Sequence, residues 1–69
     1  MKISARNQLK GTVTHIELGA VMAEVTVDIG NGNTVVAAIT KHSVESLGLS
    51  EGSAVVAIIK STEVIIGTE

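Results

Sequence analysis

The sequence contains no cysteine, no phenylalanine, no tyrosine and no tryptophan, and only two of its 69 residues are histidine. Without cysteine the chain forms neither a disulfide nor a thiolate metal site. Without aromatic side chains it lacks the stacking surfaces that single-stranded nucleic acid binders use. The formal net charge of -2 points the same way, because a net acidic protein repels polyanions. Both features argue against a nucleic-acid partner.

The length allows one small domain, which we assign to residues 1–69. Ordering such a chain costs roughly 100 kcal/mol, at about 1.5 kcal/mol per residue, and a core of this size barely offsets that cost. Disulfides are excluded, and two histidines, His15 and His42, are few for a structural metal. Oligomerisation remains as the source of stability. A hydrophobic content of 45% and a mean hydropathy of +0.47 agree, since they indicate apolar surface that meets a partner subunit.

No targeting or membrane-spanning segment is visible in the sequence. The chain opens on Met1-Lys2-Ile3-Ser4, without the apolar stretch of a signal peptide. The longest apolar run, Ala54 to Ile59, is too short to span a bilayer. We therefore expect a cytoplasmic protein with no membrane partner.

The hydrophobic pattern of the first half predicts three strands. The first covers Ile3 to Ile16 and contains Gly11, which is typical of a bulge or a sharp coil in a sheet. The second, Ala20 to Ile29, alternates apolar and polar residues as a half-buried strand does. The Asn-Gly pair within Gly30 to Asn33 predicts a hairpin turn that returns through a third strand, Thr34 to Ile39.

The second half predicts one short helix and two further strands. Thr40 to Gly48 breaks the alternation, with a capping hydroxyl at its start and a glycine at its end. Ala54 to Lys60 is a continuous apolar strand, and Glu63 to Gly67 follows as the last strand. This element order is that of an all-β, five-stranded OB-like barrel with the helix between strands 3 and 4. An SH3-like barrel or a plain meander remains the alternative.

No combination of residues indicates an enzyme. No serine lies in a nucleophile elbow, the carboxylates are scattered, and the glycines form no phosphate-binding loop. His15 and His42 are far apart in the sequence and are interpreted as surface histidines. We therefore expect a protein that binds a ligand or a partner and catalyses no reaction.

Three clusters of hydrogen-bond donors interrupt the apolar pattern. They are Ser4-Ala5-Arg6-Asn7-Gln8, Thr40-Lys41-His42-Ser43 and Lys60-Ser61-Thr62. A tetrahedral dianion carries only acceptor oxygens, so its site needs an arginine fork, an ammonium group, hydroxyls and backbone N–H groups. The three clusters supply all of these donors. The alternative interpretation is that Arg6 and Lys60 are ordinary surface charges at strand ends.

The first and last clusters resemble the motifs of a known family. Ser4 to Gly11 (SARNQLKG) resembles the opening of the molbindins, the Mop-type molybdate-binding proteins, which use the transport-associated OB (TOBE) domain. Ala57 to Val64 (AIIKSTEV) resembles their closing motif, and Ser43 to Gly48 followed by Glu51-Gly52 is a third match. The resemblance covers essentially the whole chain, and the two end motifs are more specific together than either is alone.

The resemblance implies a ligand, a site and an assembly. It implies binding of molybdate, and of tungstate in the same way, without an organic cofactor and for intracellular storage or homeostasis of molybdenum. It implies a homohexamer, a trimer of dimers with exchanged strands, whose oxyanion sites lie at subunit interfaces. The site residues that it implies in this sequence are Ser4, Ala5, Arg6, Asn7, Thr40, Lys60 and Ser61. Arg6 and Lys60 would neutralise the anion, the hydroxyls would orient it, and Ala5 and Asn7 would contribute backbone or packing.

Two other functions remain open from the sequence. A ligand-free structural oligomerisation module predicts the same hexamer, but no effect of oxyanions on its stability. An OB-fold nucleic-acid-binding protein predicts surface aromatics and a basic groove, and aromatic residues are absent. Since the sequence contains a single module, the resemblance implies neither a DNA-binding regulator nor a transporter subunit.

Overall fold

The computed structural model describes all 69 residues. The chain contains four strands and one short α-helix. The strands are β1 (Asn7–Leu18), β2 (Met22–Gly30), β3 (Asn33–Thr40) and β4 (Ala54–Ile59), and helix α1 (Lys41–Leu47) connects β3 to β4. A single 3-10 turn, Ser61–Glu63, follows β4. The predicted all-β chain with one helix between its third and fourth strands is confirmed. That helix, seven residues long, is too short to cross a bilayer.

All four strands belong to one antiparallel sheet in the order β3-β2-β1-β4. The long strand β1 pairs twice, because its first half, from Asn7, lies against β4 and its second half, to Leu18, lies against β2. The change of partner occurs near Gly11, and the register with β2 shifts between Val13 and His15. Glycines and register shifts in a strand allow it to bend and twist sharply. The sheet therefore curls into a half-barrel.

The turn and the helix form as the sequence predicts. In the β2–β3 hairpin Asn31 and Gly32 have positive φ angles of 55° and 77°, a conformation that an Asn-Gly pair adopts readily. Helix α1 begins after Thr40, whose hydroxyl oxygen accepts a hydrogen bond from the Ser43 backbone N–H at 3.0 Å. The helix ends at Gly48 in the left-handed conformation that favours glycine.

The structure corrects the predictions at both ends of the chain. The first strand begins at Asn7 and not at Ile3, because β4 ends at Ile59, opposite Asn7, and leaves the preceding residues without a pairing partner. The fifth strand, predicted over Glu63 to Gly67, does not form, so the sheet has four strands and not five. These residues pair with no strand of their own chain, and Ile65 is 93% exposed.

The hydrophobic core is small for the surface that the chain exposes. Five residues are buried on the inner side of the sheet and helix, and they are Val13, Ala23, Val25, Val27 and Val44. The accessible surface is 5407 Å², whereas the scaling for compact monomers gives about 4,100 Å² at the mass of this chain, 7.1 kDa. The chain thus exposes about 1,300 Å² more surface than a compact monomer of its mass. One partner in a standard protein–protein interface buries roughly 800 Å², which is less than this extra surface.

The half-barrel is open between its two edge strands, β3 and β4. Each of these strands pairs on one side only, so each presents an unpaired backbone edge. Between them lies a cleft of about 550 Å³ that is lined entirely by apolar residues. The lining residues come from β2, β3, β4 and the end of α1 with Leu49. We refer to this feature as the open cleft.

Candidate functional site

A polar pocket lies where the start of β1 meets the end of β4. The antiparallel register pairs Asn7 with Ile59, so the residues just before Asn7 and just after Ile59 emerge side by side. We refer to this feature as the donor pocket. Its lining residues are Ser4, Ala5, Arg6, Lys60, Ser61 and Thr62. The sheet therefore brings together the first and last donor clusters of the sequence, and five of the seven predicted site residues line one pocket.

The donor pocket combines positive charge with hydroxyl groups. Arg6 and Lys60 carry one formal positive charge each, three of the other lining residues carry hydroxyls, and no carboxylate lines the pocket. A guanidinium fork binds two oxygens of one anion, and an ammonium group acts as a point charge. The pocket has a volume of about 400 Å³, and both cationic side chains are exposed. Chemically the pocket suits a small anion.

Two side-chain hydrogen bonds hold the backbone on the β1 side of the pocket. The Asn7 Nδ2 amide donates to the carbonyl oxygen of Ile59 at 3.1 Å. The Gln8 Nε2 amide donates to the carbonyl oxygen of Ala5 at 2.9 Å. Asn7 is half-buried and does not line the pocket. Its side chain ties the two strands together where the pocket begins.

The 3-10 turn after β4 shapes the other side of the pocket. The Glu63 backbone N–H donates to the Lys60 carbonyl oxygen at 2.9 Å and closes this turn directly after the strand. The turn places Ser61 and Thr62 in the pocket lining. Thr62 is absent from the predicted site, although the polar run Lys60-Ser61-Thr62 contains the signal that includes it.

Thr40 lies away from the donor pocket of its own chain. It ends β3 opposite Met22, next to the pairing of Ala23 with Leu18 at the far end of β1. Arg6 precedes the near end of the same twelve-residue strand. At about 3.3 Å per residue, the path between the two ends of β1 is roughly 35 Å. Arg6 and Thr40 therefore lie at opposite ends of β1, and Thr40 does not line the donor pocket.

The Thr40 hydroxyl keeps a donor function beside its role in capping the helix. Its oxygen accepts from the Ser43 backbone N–H, and it lies 2.8 Å from the Ser43 hydroxyl oxygen, with either hydroxyl able to donate. When Ser43 donates, the Thr40 proton is free to reach another acceptor.

The two histidines lie outside the donor pocket. His15 pairs with Thr26 in the sheet and His42 is in α1, and neither lines the pocket.

Comparison with known proteins identifies the family. The model of the TOBE domain matches residues 3–66. "Molybdenum-pterin-binding protein 1" of Clostridium pasteurianum is 50% identical over 66 residues, which cover 96% of this chain and 97% of that protein.

Two solved structures share the fold over the full chain. A molybdate-binding protein from Sporomusa ovata matches with a TM-score of 0.92 at 46% identity, covering 99% of this chain and 100% of that one. The cytoplasmic molybdate-binding protein ModG, with molybdate bound, matches with a TM-score of 0.95 at 45% identity, covering 100% of this chain and 49% of that one. The chain belongs to the TOBE-domain family, among the Mop-type molybdenum-binding proteins that both ends of its sequence resemble.

Proposed function

We propose that this protein binds molybdate as the intact oxyanion in the donor pocket. The observation that carries the proposal is the convergence of Arg6, Lys60 and three hydroxyl side chains in a pocket that no carboxylate lines. Molybdate has two negative charges and four acceptor oxygens, which match this set of donors. Three or four charged hydrogen bonds contribute about 1.5–3 kcal/mol each. That is sufficient for micromolar binding, which corresponds to about 8 kcal/mol.

A molybdenum-pterin complex is the second candidate ligand, because the Clostridium pasteurianum relative is named for it. A pterin is a flat heteroaromatic ring with donors of its own, and it needs an apolar or aromatic wall together with acceptors. The donor pocket offers one apolar residue, Ala5, and the chain has no aromatic side chain to stack on the ring. The donors of the pocket favour the bare oxyanion, which is the ligand bound in the structure of ModG. We propose no organic cofactor for this site.

The complete site is proposed to form between two chains of a homo-oligomer. Thr40 lies at the far end of β1 from the donor pocket, while Arg6 and Lys60 are exposed in the single chain. A second chain that brings its Thr40 to the pocket adds a hydroxyl and removes water from the anion. Charged hydrogen bonds strengthen when water is excluded. Ser4, Ser61 and backbone N–H groups complete the shell.

The two unpaired strand edges support the proposed assembly. The segment Val64–Ile66 is apolar and exposed, and it pairs with no strand of its own chain. In a second chain the open cleft, between the edges of β3 and β4, is lined by apolar residues and can accept such a strand. Reciprocal exchange closes two barrels in a dimer, and three dimers form the proposed hexamer.

The proposed role is storage or homeostasis of molybdenum in the cytoplasm. We assign the pocket to binding and not to catalysis, because its lining contains neither a histidine nor a carboxylate that could serve as a general base. Tungstate is expected to bind similarly, since its size and charge are nearly those of molybdate. Sulfate is smaller and should bind less well in a rigid interface site. No nucleic acid or membrane surface is proposed as a partner.

Isothermal titration calorimetry with molybdate, tungstate and sulfate tests the proposal, on protein whose mass is checked by light scattering. We expect micromolar or tighter binding of molybdate and tungstate, and weaker binding of sulfate, on a particle of six chains. A gel shift with single-stranded DNA and RNA at low salt should show no complex. A folded oligomer that gives no heat with any of the three anions would favour the ligand-free structural module.

A further inference from the structure

The tip of the β2–β3 hairpin contains the one asparagine of the chain that is followed by a glycine. Asn31 and Gly32 make up the two-residue loop that joins Gly30 to Asn33. Both loop residues are exposed to solvent. The loop therefore places a carboxamide next to a backbone N–H whose residue has no side chain to shield it.

No hydrogen bond holds either of these two groups. Gly32 lies outside the strands, and its N–H is not among the backbone donors there. The Asn31 side chain takes part in none of the side-chain hydrogen bonds of the chain. The residues before the loop are held more firmly, since the Gly30 N–H donates to the Asp28 carboxylate at 2.8 Å. Exposed segments with few hydrogen bonds open locally at little cost in free energy.

The other two asparagines lack this combination of features. Asn7 is half-buried, and its Nδ2 amide donates to the Ile59 carbonyl oxygen at 3.1 Å. Asn33 belongs to β3 and pairs with Gly30. It precedes Thr34, a β-branched residue whose side chain crowds its own backbone N–H. Of the three carboxamides, that of Asn31 is therefore the most open to attack by the following backbone nitrogen.

We propose that Asn31 is a site of spontaneous deamidation in the folded protein, with water as the only co-reactant. The Gly32 nitrogen gives its proton to water and attacks the side-chain carbonyl carbon of Asn31, forming a C–N bond. The Cγ–Nδ2 bond breaks as Nδ2 takes up a proton and leaves as ammonia, which closes a succinimide ring. Water then opens the ring. Attack at the side-chain carbonyl gives aspartate, and attack at the main-chain carbonyl gives isoaspartate.

The isoaspartate product changes the backbone of the hairpin as well as its charge. It adds one methylene group to the main chain of a two-residue loop, and the length of such a loop fixes the register of the strands that it joins. The register of β3 determines which of its side chains face inward. The half-buried β3 residues that line the open cleft are Val35, Ala37 and Ile39. Formation of isoaspartate at the tip should therefore lower the melting temperature.

Ageing of the purified protein at mildly alkaline pH, followed by mass spectrometry of its peptides, tests the proposal. The peptide with Asn31 should gain the mass expected for replacing NH₂ by OH, while the peptide with Asn7 keeps its mass. Electron-transfer fragmentation assigns the change to Asn31 or Asn33 and distinguishes isoaspartate from aspartate. A second sample aged in urea gives the reactivity of the unfolded chain.

Asn31→Gly is the matched control. Glycine adopts the positive φ angle of 55° at this position and has no carboxamide to lose. The variant should keep both its mass and its melting temperature on ageing, whereas the aged wild type develops a fraction that melts at a lower temperature.

The outcomes are independent of molybdate binding. Conversion of Asn31 in the folded wild type, with Asn7 and Asn33 intact and the Asn31→Gly variant unchanged, supports the proposal. An intact Asn31 in the folded protein, at a time when the sample in urea has converted, overturns it. Equal conversion of Asn33 and Asn31 in the folded protein would also overturn it, because the exposed loop would then confer no selectivity.

Discussion

Arg6 and Lys60 lie 54 positions apart in the sequence, yet they line one pocket because each is one position outside a paired strand residue. The pairing of Asn7 with Ile59 fixes both locations at once. The sequence predicted that these cations and hydroxyls belong to one site, and five of the predicted residues do line one pocket; that they bind a dianion stays a prediction. That Thr62 joins the pocket was not predicted, because this depends on the 3-10 turn that the chain makes after β4.

Arg6→Ala and Lys60→Ala are each expected to weaken molybdate binding by at least tenfold, the loss expected for one charged hydrogen-bonding group. Both side chains are exposed, so the fold should persist. Calorimetry gives the dissociation constants, and circular dichroism checks the fold. Lys10→Ala, which removes the same charge from an exposed position outside the donor pocket, should leave the affinity unchanged. Wild-type affinity of either site variant would remove that residue from the site.

Gly11→Ala is expected to destabilise the fold without acting on the donor pocket directly. A methyl group at this position would lie 2.4 Å from the Asp28 carbonyl oxygen and 2.7 Å from a Val27 methyl carbon. The strands would have to separate, and overpacking of this kind costs about 1–3 kcal/mol. Urea unfolding measures the change in the free energy of unfolding. Gly67→Ala, where a methyl group meets nothing within 4 Å, is the control. Equal stability of the two variants would contradict the packing argument.

At the scale of elements, local chemistry determines the turn and the helix, whereas pairing determines the strand ends. The Asn-Gly turn and the Thr40 and Gly48 caps lie within short segments, and the sequence predicted both elements. The start of β1 and the fifth strand depend on a neighbouring edge. Ile3 to Arg6 and Glu63 to Gly67 have the residue pattern of strands, but they pair with no strand of the same chain. The hydrophobic pattern of a segment does not show whether an edge is available for it to pair with.

Substitutions of Thr40 separate helix capping from anion binding. Thr40→Ala removes the N-cap and should lower the free energy of unfolding by about 1 kcal/mol, as well as weakening molybdate binding. Thr40→Asp keeps a capping oxygen but adds a negative charge, so stability should be retained while the affinity falls further. Thr40→Ser should preserve both properties. Thermal unfolding without anion and calorimetry with molybdate provide the two measurements. An aspartate variant that binds like the wild type would place Thr40 outside the site.

At the scale of the whole molecule, one chain exposes more surface than a compact protein of its mass. Only five residues are buried, and the large apolar residues that remain exposed include Val36, Leu47, Ile65 and Ile66. An oligomer that covers this surface links stability to protein concentration by mass action. The same interface is proposed to bring Thr40 to the donor pocket, so that assembly and anion binding should strengthen each other.

Ile65→Asp is expected to reduce the oligomer mass, because a carboxylate in an exchanged strand would have to enter the apolar lining of the open cleft. Light scattering should detect species smaller than the wild-type particle, with a melting temperature that falls on dilution. Thr68→Asp adds the same charge beyond the apolar segment and should leave the wild-type mass. An unchanged oligomer in Ile65→Asp would exclude the Val64–Ile66 segment from the interface.

Anomalous diffraction at the molybdenum edge, from crystals grown with molybdate, tests the central claim most directly. The predicted result is a molybdenum peak in the donor pocket, with anion oxygens within about 3 Å of the Arg6 guanidinium and the Lys60 ammonium group and with Thr40 of a neighbouring subunit beside it. A molybdenum peak elsewhere, with the donor pocket empty, would contradict the assignment of the site.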